Sequence, residues 1–442
     1  MIKASDKVTV GITTLGCKVN QCDSASLTCT LEDAGFMIVP FSSFADAYII
    51  NTCTVTGFSD FQARQLIRRA LRVNPQARIV VTGCYAQTQP EALASLEGVA
   101  MVIGNDQKHR IAELLQKQPL NGQKIFAENI FRQEYFLSAP APKLAGRTRA
   151  FFKIQDGCNA FCSYCIVPYA RGKSRSLPLY ETLTGAKRFA GQGYREIVLT
   201  GIHLGQYGYD LHPQTPFVSM LEQILSQNPG VRFRLSSIEP NEISDDLLRL
   251  FHAHANLCPH LHIPLQSGDD TILKMMKRTY DTAFYRSLIR KVADSIPDIA
   301  IGMDVMTGFP AESDVHFQNT LSFLTDLPAT YLHVFPYSER PGTAALAITP
   351  KVPEKIKKER AATLRTLSAQ KRAAFSQQYT GRILPVLVEN TKDKKTGLHK
   401  GFSHNYLPVL LDKSHVSLVN TVAKVKIDGY TDGKLTGKVI HE

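Results

Sequence analysis

Three apolar, β-rich runs in the first third of the chain each end in a cysteine: V-T-V-G-I-T-T-L-G-C at Cys17, A-Y-I-I-N-T-C at Cys53 and R-I-V-V-T-G-C at Cys84. The cysteines lie 36 and 31 residues apart, about the length of one βαβ unit each. Helical patterns fill the gaps, from Asp23 to Ala34 and from Phe61 to Val73, where Pro75 closes the second. Parallel strands joined by right-handed crossovers put their carboxyl ends on one edge. That edge is where open α/β sheets bind ligands. The pattern predicts an open parallel α/β domain over residues 6–120, with three thiols converging at one edge. Three small apolar residues in loops are the plainer alternative; the repeated placement after a strand argues against it.

A second set is local. The stretch D-G-C-N-A-F-C-S-Y-C, residues 156–165, holds Cys158, Cys162 and Cys165 as C-x3-C-x2-C. Three thiolates hold three irons of a 4Fe–4S cube, whereas a closed cluster takes four cysteines, so one iron is left for a ligand that is not protein. Structural zinc wants four ligands, and no His follows at finger spacing. Nine cysteines is an odd count, and the start M-I-K-A-S-D-K-V-T-V-G-I has no signal-peptide core or cleavage site. A disulfide framework is therefore disfavoured and a reducing, cytoplasmic setting is the expectation. No apolar run approaches the roughly 20 residues of a membrane span. The net charge of +12 and pI near 9.2 point to a polyanionic partner, nucleic acid above all.

The C-x3-C-x2-C spacing, with Tyr164 before the last cysteine, resembles the radical S-adenosylmethionine (SAM) superfamily. The resemblance implies that the open iron chelates the amino and carboxylate groups of SAM, whose reductive cleavage gives a 5′-deoxyadenosyl radical. L-G-C-K-V-N-Q, N-T-C-T-V-T and T-G-C-Y-A-Q are similar to the amino-terminal domain of the radical SAM methylthiotransferase family, which inserts sulfur and methylates it. That likeness makes Cys17, Cys53 and Cys84 the ligands of a second, auxiliary 4Fe–4S cluster. Within the family, Lys18-Val19 resembles the enzymes acting on threonylcarbamoyladenosine in tRNA; the isopentenyladenosine enzymes typically show Gln-Met there, and those acting on a ribosomal protein Pro-Lys. Cys22 stands where the family shows an aromatic residue, and with Cys29 and Cys258 it reads as structural.

After a Pro-punctuated linker, Ser138 to Gly146, come six β-rich runs separated by helical patterns: F-F-K-I-Q, R-E-I-V-L-T, V-R-F-R-L-S, H-L-H-I-P-L, A-I-G-M-D-V-M and Y-L-H-V-F-P. Six units fall short of a closed eight-stranded barrel. They match the incomplete (β/α)6 barrel that the resemblance implies over residues 144–375. Function should gather at the strands' carboxyl ends, where the resemblance assigns SAM contacts to Thr200, Gly201, Ser236, Glu239, Gln266 and Asp304, with Tyr164 from the cysteine loop. Arg171, Arg278 and Arg340 are candidate carboxylate or phosphate binders, Arg340 in particular for a threonyl carboxylate. His203, His260 and His262 lie near strand ends, the last two on one face, as expected for packing or a local hydrogen bond.

A long helix is predicted after Pro353, docked through Leu364, Leu367, Lys371 and Phe375 with its basic face wet. Short β runs with glycine turns then predict a small all-β barrel over residues 378–441. It resembles the RNA-binding TRAM domain, best at G-F-S-H-N-Y, Gly401 to Tyr406. Arg64, Arg68 and Arg72 form one helix stripe that suits phosphates, or simply solvent. Together the resemblances imply a tRNA methylthiotransferase that modifies adenosine beside the anticodon, with tRNA and an electron donor of unspecified identity as partners and no membrane. An RNA-binding iron–sulfur redox or sensor protein is the reading from another class.

Overall fold

The computed structural model describes residues 7–117, 124–137, 148–412 and 416–440. The linker at Ser138 to Gly146, the first six residues and the expected limits at 6, 120, 144 and 441 lie outside that set; the expected limit at 375 falls inside helix Glu354–Gln377, and 378 is its C-cap.

The first unit is a parallel sheet in the order Met37–Val39, Thr9–Thr14, Ala47–Thr52, Arg78–Gly83, Val99–Ile103, Ile125–Phe126. Every residue of Ala47–Thr52 is buried, as a strand covered on both faces requires. Ile49 and Val80 pack towards Leu27, Leu31 and Ile111, and Tyr48, Ile50, Ile79 and Val81 towards Ala63 and Ile67 on the other face. The chain leaves Thr9–Thr14 for one side of the sheet and Ala47–Thr52 for the other. The crevice between these two strands is thus the topological switch point, where such sheets bind ligands. Helix Lys18–Asp33 starts five residues before the Asp23 read from sequence.

The second unit has six parallel strands in chain order: Arg149–Lys153, Glu196–Thr200, Arg232–Leu235, His260–His262, Ala300–Thr307 and Tyr331–Pro336. Isolated parallel bridges Phe233↔Leu257 and Ser237↔His262 join its two halves. Alternate residues have opposite fates. Phe152, Ile197, Leu199, Phe233, Leu261, Met303 and Leu332 join the apolar layer beneath the helices. Arg149, Glu196, Arg232, Arg234, His260, His262, Asp304, Tyr331 and His333 lie on the other face, so the barrel has a polar lumen.

Helix Glu354–Gln377 follows Pro353 as expected, but its buried stripe is Lys357, Arg360, Ala361, Leu364 and Ser368. The docking face is therefore partly ionic: Arg360 reaches Glu312 at 2.5 Å and Asp314 at 2.7 Å. Lys371 donates to the carbonyls of Thr325 and Leu327 at 2.9 and 2.8 Å.

The last unit is a closed barrel of Ile383–Lys392, His399–Ser403, Pro408–Leu411, Lys434–Val439 and Val422–Thr431. The G-F-S-H-N-Y stretch docks into the floor of the larger barrel. Arg234 donates to His404 O at 3.0 Å and Ser403 O at 3.4 Å, and its guanidinium lies 4.8 Å over the Tyr406 ring. Arg234 also meets Glu196 at 3.0 Å, with both side chains fully enclosed. Removing Arg234 leaves Glu196 on Arg232 alone, at 2.6 Å, and takes a donor from the carbonyls of Ser403 and His404, so Arg234→Met is expected to cost about 3 kcal/mol. A fall in the denaturant midpoint at constant m-value measures it.

Candidate active site

Cys17 caps helix Lys18–Asp33, Cys53 follows strand Ala47–Thr52, and Cys84 follows strand Arg78–Gly83. Two glycines let these three ends approach. Gly16 sits at φ +94°, and a Cβ there would stand 2.6 Å from the Cβ and 2.8 Å from the Sγ of Cys53. Gly83 sits at φ +98°, where a Cβ would stand 2.5 Å from Asn51 Oδ1. Burial pushes the Cys53 thiol up to about 12, and Cys84 and Cys17 add to the rise. The protein mass around Cys17 desolvates its thiol and raises it too, although its surface reaches solvent, and Arg171 opposes the rise. Val55 N–H donates to Cys53 Sγ at 3.5 Å and Asn105 Nδ2 to Cys84 Sγ at 3.8 Å. Hydrogen bonds of this kind to sulfur are what cluster sites carry.

The local set is clamped at several points. Cys158 N–H donates to Gly172 O at 3.0 Å, Ser163 N–H to Met276 O at 3.1 Å, and Ser163 receives Ala345 N–H at 2.7 Å. Burial pushes Cys165 up to about 12, with Cys162 and Cys158 adding. Ala160 N–H donates to Cys158 Sγ at 3.4 Å and Arg278 Nη1 to Cys162 Sγ at 3.3 Å. His203 Nδ1 lies 3.4 Å from Cys158 Sγ, and its Nε2 lies 2.7 Å from Glu242. Burial works against the His203 imidazolium, yet Cys158 and Glu242 raise it to about 10. Sequence marked His203 only as lying near a strand end; its partner is 45 residues away.

Arg171 joins the two sets. Its side chain is 2% exposed. Nη1 meets both oxygens of Asp156 at 2.8 and 3.0 Å, two residues before Cys158. Nη2 meets Asn20 Oδ1 at 2.6 Å and Asp23 Oδ2 at 3.0 Å, in the helix that Cys17 caps. Lys153 and Lys108 close the network on Asp23 at 2.6 and 3.1 Å. The guanidinium is within electrostatic reach of Cys84 and Cys17. Nothing in the sequence near Asp23, Lys108 or Lys153 signalled this role.

Of the residues expected around SAM, Thr200, Gly201 and Ser236 lie at or next to strand carboxyl ends and Glu239 and Gln266 a few residues beyond them, whereas Asp304 sits inside strand Ala300–Thr307 rather than at its end. Ser236 Oγ and Gln266 Oε1 are buried with no hydrogen-bond partner among the described residues. Gln266 holds φ +73°, and such strain in a non-glycine residue collects at functional sites. Thr200 turns its hydroxyl back on Val198 O at 3.2 Å, and Gly201 packs on Gln155. Tyr164 is within electrostatic reach of Arg278 and Cys162. Glu239 pairs with Arg278. Asp304 accepts from His262 at 3.0 Å and lies 3.5 Å from His333. Burial works against its ionisation, but the two histidines hold it well below the usual carboxylate range.

The three arginines expected to bind a ligand's carboxylate or phosphate are otherwise engaged. Arg171 and Arg278 hold Asp156, Asp23 and Glu239. Arg340 is buried on Asp60 at 2.6 Å and Thr54 Oγ1 at 3.1 Å, fastening the first unit to the barrel. That corrects its assignment to a threonyl carboxylate. Arg64, Arg68 and Arg72 are exposed. Cys22 and Cys258 are buried, and Cys22 Sγ donates to Phe151 O at 3.3 Å.

The Radical SAM superfamily matches residues 152–324, and the Uncharacterized protein family UPF0004 matches residues 9–104. A solved radical S-adenosylmethionine methyltransferase from Kitasatospora setae, with cobalamin and a 4Fe–4S cluster bound, shares the fold: TM-score 0.58, 16% identity, 77% of each chain covered. The barrel and its three-cysteine loop define a radical SAM protein. More narrowly, the chain belongs to the radical SAM methylthiotransferase family. It is 38% identical over 95% of its length to a Bacillus subtilis protein named threonylcarbamoyladenosine tRNA methylthiotransferase, of which it covers 93%. It is 33% identical over 96% of both chains to a Pelotomaculum thermopropionicum protein named tRNA-2-methylthio-N(6)-dimethylallyladenosine synthase.

Proposed function

We propose that the protein is a tRNA methylthiotransferase that adds a methylthio group to carbon two of threonylcarbamoyladenosine beside the anticodon. Two cysteine sets locked against each other by Arg171 carry this reading, because sulfur insertion needs a radical source and a sulfur source facing one substrate. Cys158, Cys162 and Cys165 would hold the first cluster, and Cys17, Cys53 and Cys84 the second. The soft, convergent thiols fit iron, as do the donors aimed at four of their sulfurs. Bound there, the clusters supply one-electron cleavage of SAM and the sulfur to be transferred, chemistry that an unactivated aromatic C–H requires.

The chain's own task is orientation. Ser236 and Gln266 offer unpaired oxygens to SAM's ammonium or ribose hydroxyls; Tyr164, Thr200, Gly201, Glu239 and Asp304 are the further proposed contacts, Glu239 and Asp304 from within their pairs with Arg278 and His262. Arg340 and Asp60, paired at 2.6 Å, hold the first unit against the barrel and so fix the two cysteine sets relative to each other. We assign the units as 6–120, 144–375 and 378–441, the last a TRAM-like RNA-binding barrel whose exposed Lys424, Lys426 and Lys438 suit phosphates. A cytoplasmic location fits tRNA; among the described residues no helix is long and apolar enough to cross a membrane. Lys18-Val19 favours the threonylcarbamoyl substrate over the isopentenyl one.

Nucleoside mass spectrometry of tRNA from a deletion strain tests the reading. Loss of 2-methylthio-threonylcarbamoyladenosine alone is the expected result; loss of the isopentenyl product instead overturns it. In addition, His203→Leu removes a donor beside Cys158 and is expected to shift the first cluster to a more negative potential, measured by an EPR-monitored redox titration.

A further inference from the structure

The barrel lumen has an anion-seeking floor. Lys18 opens helix Lys18–Asp33, next to Cys17, and its side chain is half-buried. That helix runs alongside strand Arg149–Lys153: Cys22 bonds Phe151 at 3.3 Å and Asp23 bonds Lys153 at 2.6 Å. Lys18 therefore falls at the Arg149 end, within electrostatic reach of Tyr406, Arg149, Arg234 and Glu196, and also of His260.

The charges around it do not balance. Glu196 is shared by Arg232 at 2.6 Å and Arg234 at 3.0 Å, and Glu389 takes Arg149 at 2.9 Å. With Lys18, four cations face two carboxylates, and no hydrogen bond or ion pair reaches the Lys18 ammonium among the described residues. Two neighbours register the surplus. Burial would raise the Tyr406 phenol, but Lys18, Arg149 and Arg234 hold it below its usual value. Burial first, then Arg234 and Lys18, keep His260 neutral. Higher in the lumen, Asp304 is already matched by His262 and His333, so it does not cancel the excess. Solvent reaches this part of the molecule at His333, whose side chain is 61% exposed, and at Cys17, next to Lys18.

We propose that Lys18, on this cation-rich floor, binds a single carboxylate carried by the N6 substituent of the target adenosine, and so selects the substrate. The inference rests on the function proposed above. One uncompensated ammonium suits one carboxylate. An uncharged substituent would leave that ammonium desolvated and unpaired.

The test uses the reconstituted holoenzyme and anticodon stem–loops bearing threonylcarbamoyladenosine, its methyl ester or isopentenyladenosine. Turnover and equilibrium binding are read together, so that a variant without turnover still reports a preference. The wild type is expected to bind the acid about 10- to 100-fold better than the ester, an effect on KM rather than kcat. Lys18→Met is expected to erase that preference and Lys18→Arg to keep most of it. A Lys18→Met protein that still distinguishes acid from ester as the wild type does overturns the proposal. Failure of the underlying reading looks different: the wild type would then modify the isopentenyl stem–loop and ignore the acid.

Discussion

Arg171→Leu is expected to destabilise the protein by about 3–5 kcal/mol, the cost of breaking a buried ion network by removing one partner. Few single side chains here have so much resting on them. The guanidinium spends four hydrogen bonds on Asp156, Asn20 and Asp23. Asp23 lies between it, Lys153 and Lys108, and burial opposes its ionisation while those three cations hold it well below the usual carboxylate range. Without Arg171, Asp156 keeps Lys153 at 3.2 Å as its remaining ion-pair partner among the described residues. Arg171→Lys should not restore the wild type, because a point charge cannot span Asp156 and Asn20 as a planar fork does. Chemical denaturation of the cluster-free chains measures both effects. If Arg171→Leu moves the midpoint no more than an exposed-residue control such as Arg68→Leu, the network is not what holds the units together.

Much of this architecture can be read from local pattern. Hydrophobic runs closed by Cys17, Cys53 and Cys84 give strand ends at one sheet edge because the side-chain period and the crossover rule act over short distances. The six barrel strands are visible for the same reason. What escapes is whatever depends on pairing across the fold. Arg171 stands 148 residues from Asp23 in sequence, and Arg340 stands 280 from Asp60. No spacing rule links such residues, so Arg340 read as a ligand-binding group although it is a fastener. Strand His399–Ser403 was hidden by its glycine and two basic residues; the strand nonetheless alternates buried and half-buried positions. One further feature of the lumen is written in the strands themselves. R-F-R, H-L-H and M-D-V place charged or polar groups at alternate positions of otherwise apolar strands, and that pattern announces a polar lumen.

Replacing Cys17, Cys53 and Cys84 together with alanine is expected to lower the iron content of anaerobically reconstituted protein from about eight to about four atoms per chain. Methylthio transfer should disappear, while reductive release of 5′-deoxyadenosine from SAM persists. The separation follows from the geometry. The triad belongs to the edge of the first sheet, whereas the loop of Cys158, Cys162 and Cys165 is fastened by Gly172, Met276 and Ala345, none of them in that sheet. Alanine keeps the Cβ, so the close packing at Gly16 survives and loss of the thiols is the dominant change. Cys22→Ala and Cys258→Ala serve as controls: both thiols are buried, Cys22 already donates to Phe151 O, and each variant should keep about eight irons. A triple variant that still binds about eight irons would move the second cluster elsewhere. One that binds about four yet still yields methylthio product would show that the inserted sulfur does not come from a cluster at this edge.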